Sequence, residues 1–157
     1  MREKNMIDIV KKLFNKKDLD HLSGLVIIDT PSGYELFGEY AISKVGEKFK
    51  VNKITTYVEH NFFSLQNAVV WATLDKRNKV VDRNRVTELD MLLEGTKSTI
   101  ELQQVLTRKA KDDETKLIYF SKLNEALLKK KQIVSEITKY IDDTKKWQER
   151  QFLQATK

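Results

Sequence analysis

Three stretches between residues 25 and 60 carry the hydrophobic patterns of β-strands. The run "LVIID" is short and apolar, and "KFKVNKITTYVEH" is rich in β-branched and aromatic residues. In "YELFGEYAIS" alternate positions place five residues on one face, namely Tyr34, Leu36, Gly38, Tyr40 and Ile42. The segments "TPSGY" and "KVGEK" between them hold typical turn residues. We therefore predict a three-stranded antiparallel meander with one face that needs a cover.

Helical spacing appears on both sides of this region. Residues 3–15 repeat apolar side chains as a short amphipathic helix does, with Met6, Val10 and Leu13 on one face. Residues 61–79, "NFFSLQNAVVWATLDKRNK", predict a second helix with Ser64 as its N-cap. Its apolar positions cover more than one face, so we expect this helix to lie between the sheet and further helices, with Trp71 in the core.

The second half of the chain predicts two long helices that form an antiparallel hairpin. Apolar positions alternate in steps of three and four, as in a heptad seam. The first helix has Val86, Leu89, Leu93, Thr96, Ile100 and Gln103 at these positions, and the second has Phe120, Leu123, Leu127, Lys130, Val134, Ile137, Ile141 and Thr144. A connection at residues 110–113 supplies Asp112 or Asp113 as the cap of the second helix. The fold class is therefore α+β, with a small domain at 1–83 and a helical hairpin, a coiled-coil-like extension, at 84–157.

The two predicted helices differ in length. About 27 residues give a helix of ~40 Å, and about 42 residues give one of ~63 Å. The end of the longer helix therefore extends beyond its partner, and it carries Tyr140, Ile141, Trp147, Phe152 and Leu153. Such side chains need a cover, which is the sheet domain, the N-terminal helix or another molecule. These five residues are candidate partner-binding residues.

The composition argues against most catalytic chemistry. The 157 residues include no cysteine, two histidines and one proline. The histidines, His21 and His60, show no metal-ligand spacing, and no glycine-rich phosphate-binding motif occurs. We predict no enzymatic activity, no metal or cofactor and no small-molecule substrate. No apolar run is long enough to span a membrane and no signal peptide is recognisable, so we expect a soluble, intracellular type of protein.

A net charge of +6 raises the possibility of nucleic-acid binding. The excess is spread evenly, since each half of the chain contributes +3, and acidic residues lie among the basic ones. The run "KRNKVVDRNR" at residues 76–85 is the most basic segment. Its candidate DNA-contacting residues are Lys76, Arg77, Lys79, Arg83 and Arg85.

Two resemblances bear on function. A meander followed by "FFSLQNAVVWA" resembles the arm-site-binding domain of tyrosine recombinases over residues 24–75, where Phe62, Ser64, Ala68 and Trp71 match the family's helix entry. That resemblance implies a sheet that enters the DNA major groove. The lysine- and asparagine-rich texture of the whole chain is similar to small uncharacterised proteins of large tailed phages, particularly marine ones. It implies a virion component or an accessory protein in the host cytoplasm.

These observations together predict a non-enzymatic structural or assembly protein. Its helical hairpin would contact copies of itself or a protein partner. A small DNA-binding accessory protein is the alternative.

Overall fold

The computed structural model describes the backbone at residues 28–30, 33–56 and 58–155, and the side chains at 30, 33–56 and 58–151. Within this range the fold is α+β, with an antiparallel sheet followed by three helices. The helix predicted at residues 3–15 and the start of the first predicted strand lie outside the described residues.

The sheet has more strands than the three that the sequence pattern predicts. Four antiparallel strands form its body, and a three-residue strand pairs at one edge. In chain order they are β1 (Ile28–Thr30), β2 (Gly33–Leu36), β3 (Tyr40–Val45), β4 (Lys48–Lys53) and β5 (Glu59–Phe62). Each strand pairs with the next one along the chain. The sheet is thus the expected meander, but two of the predicted strands are each divided by a turn.

The first division falls inside "YELFGEYAIS". Phe37 and Gly38 have φ angles of 57° and 67°, and the Glu39 N–H donates to the Leu36 carbonyl at 3.0 Å. Two consecutive left-handed residues are typical of a tight hairpin turn. Leu36 and Tyr40 still share the face that was predicted to be buried. They pair directly, and paired residues of antiparallel strands project to the same side of the sheet. The second division is a turn after Lys53, where Thr56 N–H donates to the Lys53 carbonyl at 3.0 Å.

Gly33 is required where β2 begins. Its φ is 142°, and a Cβ there would lie 2.2 Å from the Ile42 carbonyl oxygen of the neighbouring strand. No other residue fits so close to a backbone oxygen without moving β3.

Helix α1 (Leu65–Lys76) covers the sheet as predicted. The Ser64 hydroxyl accepts from the Asn67 N–H at 3.0 Å and caps the helix. Every residue from Asn67 to Leu74 is buried, because the sheet packs on one side of α1 and the two later helices pack on the other. Trp71 is 4% exposed, in agreement with its predicted place in the core.

The two long helices form the predicted antiparallel hairpin. They are α2 (Val80–Lys109) and α3 (Asp113–Ala155), and the Asp112 carboxylate caps α3 by accepting from the Thr115 N–H at 2.6 Å. The base of the hairpin shares one hydrophobic core with the sheet and α1. Val86 and Leu89 of α2 and Ile133, Ile137 and Ile141 of α3 belong to it. Residues on both sides of the boundary predicted at 83/84 therefore build a single core.

Beyond that core only the two helices pack together. We call residues 95–132 the distal hairpin; it projects by roughly 22 Å, the length of 15 helical residues. Within it Thr96, Ile100 and Ala126 are buried between α2 and α3. The distal hairpin thus presents much of its circumference to solvent.

Candidate interaction surface

The seam predicted along α3 is divided between two sides of the helix. Leu123, Lys130, Ile137, Ile141 and Thr144 are buried or half-buried, as a seam against α2 requires. Phe120, Leu127 and Val134 are instead exposed, and Ala126 and Ile133 take the buried positions next to them. Neighbouring steps of three and four cover a wide band of a helix, so the pattern alone could not separate the two sides.

The exposed side carries a regular stripe of its own. We define the α3 stripe as Leu117, Phe120, Asn124, Leu127, Lys131 and Val134, whose steps again alternate between three and four. Its apolar members are 66% (Leu117), 49% (Phe120), 43% (Leu127) and 40% (Val134) exposed. This spacing is that of the a and d positions of a coiled coil. The stripe therefore has the pattern of a helix–helix contact without a covering helix among the described residues.

A groove runs along another side of the distal hairpin. Its volume is about 760 Å³, and Met91, Gly95 and Thr99 of α2 face Lys122, Glu125 and Lys129 of α3 across it. A Cβ added to Gly95 would meet nothing within 4 Å. Lys122, Glu125 and Lys129 give the groove a charged rim, whereas four of the six residues of the α3 stripe are apolar.

The candidate partner-binding residues near the end of α3 are used within the chain, as far as their side chains are described. Ile141 is buried in the core, and Tyr140 packs against that core. The Trp147 ring meets the Phe37 ring edge to face, with 5.6 Å between centroids. The side chains of Phe152 and Leu153 lie outside the described residues. Of the covers that the sequence left open, the chain itself supplies the one used by these three residues. Tyr140 and Ile141 pack in the core that the helices share with the sheet, and Trp147 packs on the β2–β3 turn.

The residue that Trp147 contacts has an uncommon backbone conformation. Phe37 is one of two non-glycine residues with positive φ in the described chain. Its ring is held between Trp147 and Tyr40, whose centroid lies 6.4 Å away. The Arg77 guanidinium lies over the Trp147 ring, 5.5 Å from its centroid, and also binds Asp143 at 2.8 Å. The last described turns of α3 therefore fix both the β2–β3 turn and the end of α1.

Most of the basic run pairs with carboxylates of the same chain. Lys76 binds Glu39, Arg77 binds Asp143, and Arg83 binds Asp75. Arg85 makes a two-pronged contact with Glu136, at 2.6 Å from Nε and 2.8 Å from Nη2. Lys79 is exposed, and it is the member of the run for which the described residues supply no ion pair. The run extends from the last residue of α1 into the first turns of α2, and its ion pairs connect these helices to α3 and the sheet.

Asp75 is the centre of a polar network at this junction. It accepts from the Tyr40 hydroxyl at 2.5 Å and from Arg83, and Lys53 lies 3.7 Å away. Burial alone would raise the pKa of Asp75, but the hydrogen bonds from Tyr40 and Arg83 hold it below its ordinary value. Burial and the bond to Asp75 raise the pKa of Tyr40, so its hydroxyl remains a donor. Asp75 thus accepts two hydrogen bonds and lies near one further cation, and the network joins β3, α1 and α2.

Asp90 forms a second polar site, and sequence reasoning missed it. It accepts from the Phe63 N–H at 2.9 Å and from the Asn67 side chain at 2.8 Å, and so ties α2 to the start of α1. Burial raises the pKa of Asp90 despite these bonds. The sequence did carry a signal for this site, because Asp90 directly follows Leu89 on the side of an amphipathic helix that is predicted to be buried.

His60 lies beside Trp71, with 4.1 Å between ring centroids. Burial and then the charge of Arg83 lower the pKa of His60 below its ordinary value of 6.5.

Within the described part of the chain, no three acidic or histidine side chains converge to hold a metal ion. No described helix has the length and apolar character that crossing a bilayer requires. No family model, curated protein or solved structure matches the chain.

Proposed function

We propose that this protein is a non-enzymatic structural or assembly protein and that the distal hairpin is its binding part. The α3 stripe carries the proposal, because four apolar side chains with coiled-coil spacing stay 40 to 66% exposed on a projecting helix. Fully burying one such side chain is worth roughly 1.5–3 kcal/mol, so covering the stripe supplies a driving force for association. The resemblance to small phage proteins fits such a role in a virion or in the host cytoplasm.

The difference between the folded base and the distal hairpin supports the same proposal. The sheet, α1 and the base of the hairpin share one core, and the ion pairs of the basic run lie at that core's edge. This part of the molecule needs no partner to cover Ile141 or Trp147. The distal hairpin adds length and exposed apolar surface and adds little to that core, as expected of a segment that binds something else.

DNA binding through residues 76–85 is the alternative, and the ion pairs count against it. A phosphate would have to compete with the carboxylates that already hold Lys76, Arg77, Arg83 and Arg85. The outer face of the sheet offers Lys50 already bound to Glu59 at 2.8 Å. If the alternative holds, the chain binds random duplex DNA with an affinity that falls steeply with salt.

Site-specific photo-crosslinking tests the proposal. A photoreactive amino acid replaces Leu127 in the α3 stripe, and in a control chain it replaces Glu47, an exposed residue of the β3–β4 turn. In cells that produce each chain, we expect a discrete crosslinked protein species from position 127 and none from position 47. The absence of an adduct at 127, or equal and diffuse adducts at both positions, contradicts the proposal.

A further inference from the structure

We propose that the α3 stripe binds the same stripe of a second copy of this chain, with the two α3 helices antiparallel. This proposal rests on the proposed function and names its partner. The reasons lie in the charges along the stripe, in the register that those charges select, and in the position of the stripe relative to the folded core.

Charges of opposite sign flank three apolar residues of the stripe, Leu117, Phe120 and Leu127, on the same side of α3. Asp113 and Lys131 are 18 residues apart, which is about five helical turns, so they project in the same direction. Both are exposed, and the described residues give neither an ion-pair partner. In an antiparallel pair, Asp113 of each copy meets Lys131 of the other. A parallel pair would instead bring Asp113 to Asp113 and Lys131 to Lys131, which is repulsive.

The charge pairing selects one register, and that register brings Leu117 and Leu127 of the two copies together, whereas Val134 lies beyond the paired segment. If Asp113 is opposite Lys131 of the second copy, Leu117 is opposite Leu127, and Phe120 is opposite Asn124. The two-fold axis then passes between Phe120 and Asn124. The surface is self-complementary, as a two-fold interface has to be.

The position of the stripe leaves room for this arrangement. The paired segment, residues 113–131, lies within the distal hairpin, and the residues of α3 that enter the core begin at Ile133. In the antiparallel pair, residues after Lys131 continue past the hairpin tip of the other copy. The two folded bases therefore lie at opposite ends of the pair and do not compete for the same space.

The contact should be reversible. Stable interfaces take about 800 Å² from each partner, and a single helical stripe supplies less than that. We expect a dimer that dissociates in the micromolar range, on the order of 1–100 µM, and that sedimentation velocity detects over a concentration series of the purified full chain.

Single cysteines test the register directly, because the chain has none of its own. A mixture of the Leu117→Cys and Leu127→Cys chains should form the disulfide-linked 117–127 dimer under mild oxidation. Each chain alone should crosslink weakly, since two copies of the same position lie ten residues apart along the helix, beyond the reach of a disulfide. Efficient crosslinking of Leu117→Cys with itself would show a parallel pair and overturn the proposal.

A charge exchange provides the second readout. Asp113→Lys and Lys131→Asp should each weaken the dimer about fivefold, since each substitution turns two symmetry-related exposed ion pairs into like-charge contacts. The double variant carries each charge in the other's place and should recover the native dissociation constant. Equal weakening in the double variant overturns the register.

The outcomes separate this proposal from the proposed function. A native chain that stays monomeric to several hundred micromolar while position 127 crosslinks to a different protein refutes the second copy and leaves the association role standing. A monomer without any crosslinked species refutes both.

Discussion

Asp75, Arg83 and His60 are polar groups at the junction between the sheet and the helices, and each acts on the chain's own fold. Arg83 binds Asp75, and its guanidinium carbon lies 5.7 Å from the Trp71 ring centroid, on which His60 also packs. A cation so close to His60 disfavours the protonated imidazole, as burial does. The basic residues that suggested DNA in the sequence are therefore largely parts of a structural network.

The lowered pKa of His60 predicts a pH dependence of stability. The unfolded chain binds a proton at His60 more readily than the folded chain, so the free energy of unfolding falls as the pH drops below 6.5 towards the folded pKa. Well above pH 6.5 both the folded and the unfolded chain hold His60 neutral, and this loss of stability disappears. Denaturant unfolding at several pH values should show this slope in the native chain and a smaller slope in His60→Gln. Identical slopes would show that His60 does not titrate differently on folding.

Gly95 predicts a stabilising substitution. It lies inside α2, where glycine costs roughly 0.5–1 kcal/mol relative to alanine, and a Cβ has free space. Gly95→Ala should raise the free energy of unfolding by about that amount. Gly46→Ala is the matched control, since its Cβ also meets nothing, but its φ of 64° makes alanine unfavourable. The two variants should shift the midpoint of urea unfolding in opposite directions, and a loss of stability in Gly95→Ala contradicts the expectation.

At the scale of elements, α1 is the most constrained part of the molecule. The sequence predicted this helix, its Ser64 cap and its buried position correctly, because eight nearly continuous apolar or small residues leave few other choices. It predicted too few strands, because alternation in "YELFGEYAIS" continues through the turn at Phe37 and Gly38 without a visible break. It also could not assign Phe120 and Leu123 to different sides of α3, since both fit one three-four pattern.

Trp71 tests the role of α1 as a central layer. It contacts the His60 and Phe62 rings of β5, the latter with 5.9 Å between centroids. Trp71→Ala should lower the free energy of unfolding by about 3–5 kcal/mol, because a large buried side chain is lost. Phe63→Ala, at a partly exposed neighbouring position, should cost far less. A Trp71→Ala chain with native stability in thermal unfolding would show that α1 is a docking surface and not a core helix.

At the scale of the whole molecule, the two ends of the hairpin have different surroundings. At the base, α3 extends past the start of α2 and packs Trp147 on the β2–β3 turn. At the tip, both helices leave the core and expose the α3 stripe. The sequence predicted the overhang from helix lengths alone, but it could not decide what covers it, since that depends on the turn at Phe37.

A truncation after Asp143 separates the two ends. Loss of the Trp147 contacts with Phe37 and Arg77 should lower the free energy of unfolding by roughly 1.5–3 kcal/mol. The midpoint of thermal unfolding should fall by about 4–10 °C in a protein of this size. The truncation also removes the buried Thr144 and Gln148, so Trp147→Ala should reproduce only part of that loss. Association through the α3 stripe should persist in both variants. An unchanged midpoint would mean that the end of α3 is not part of the fold.

The dissociation constant from sedimentation equilibrium tests the association claim most directly. This constant is measured for the native chain and for a Phe120→Gln, Leu127→Gln double variant. The control is Met91→Gln with Leu102→Gln, at α2 positions that are 64% and 55% exposed and outside the α3 stripe. All these positions are substantially exposed, so each variant should keep its stability to within about 1 kcal/mol. We expect the stripe variant to be monomeric where the native chain and the control dimerise. A stripe variant that associates as strongly as the native chain would contradict the account.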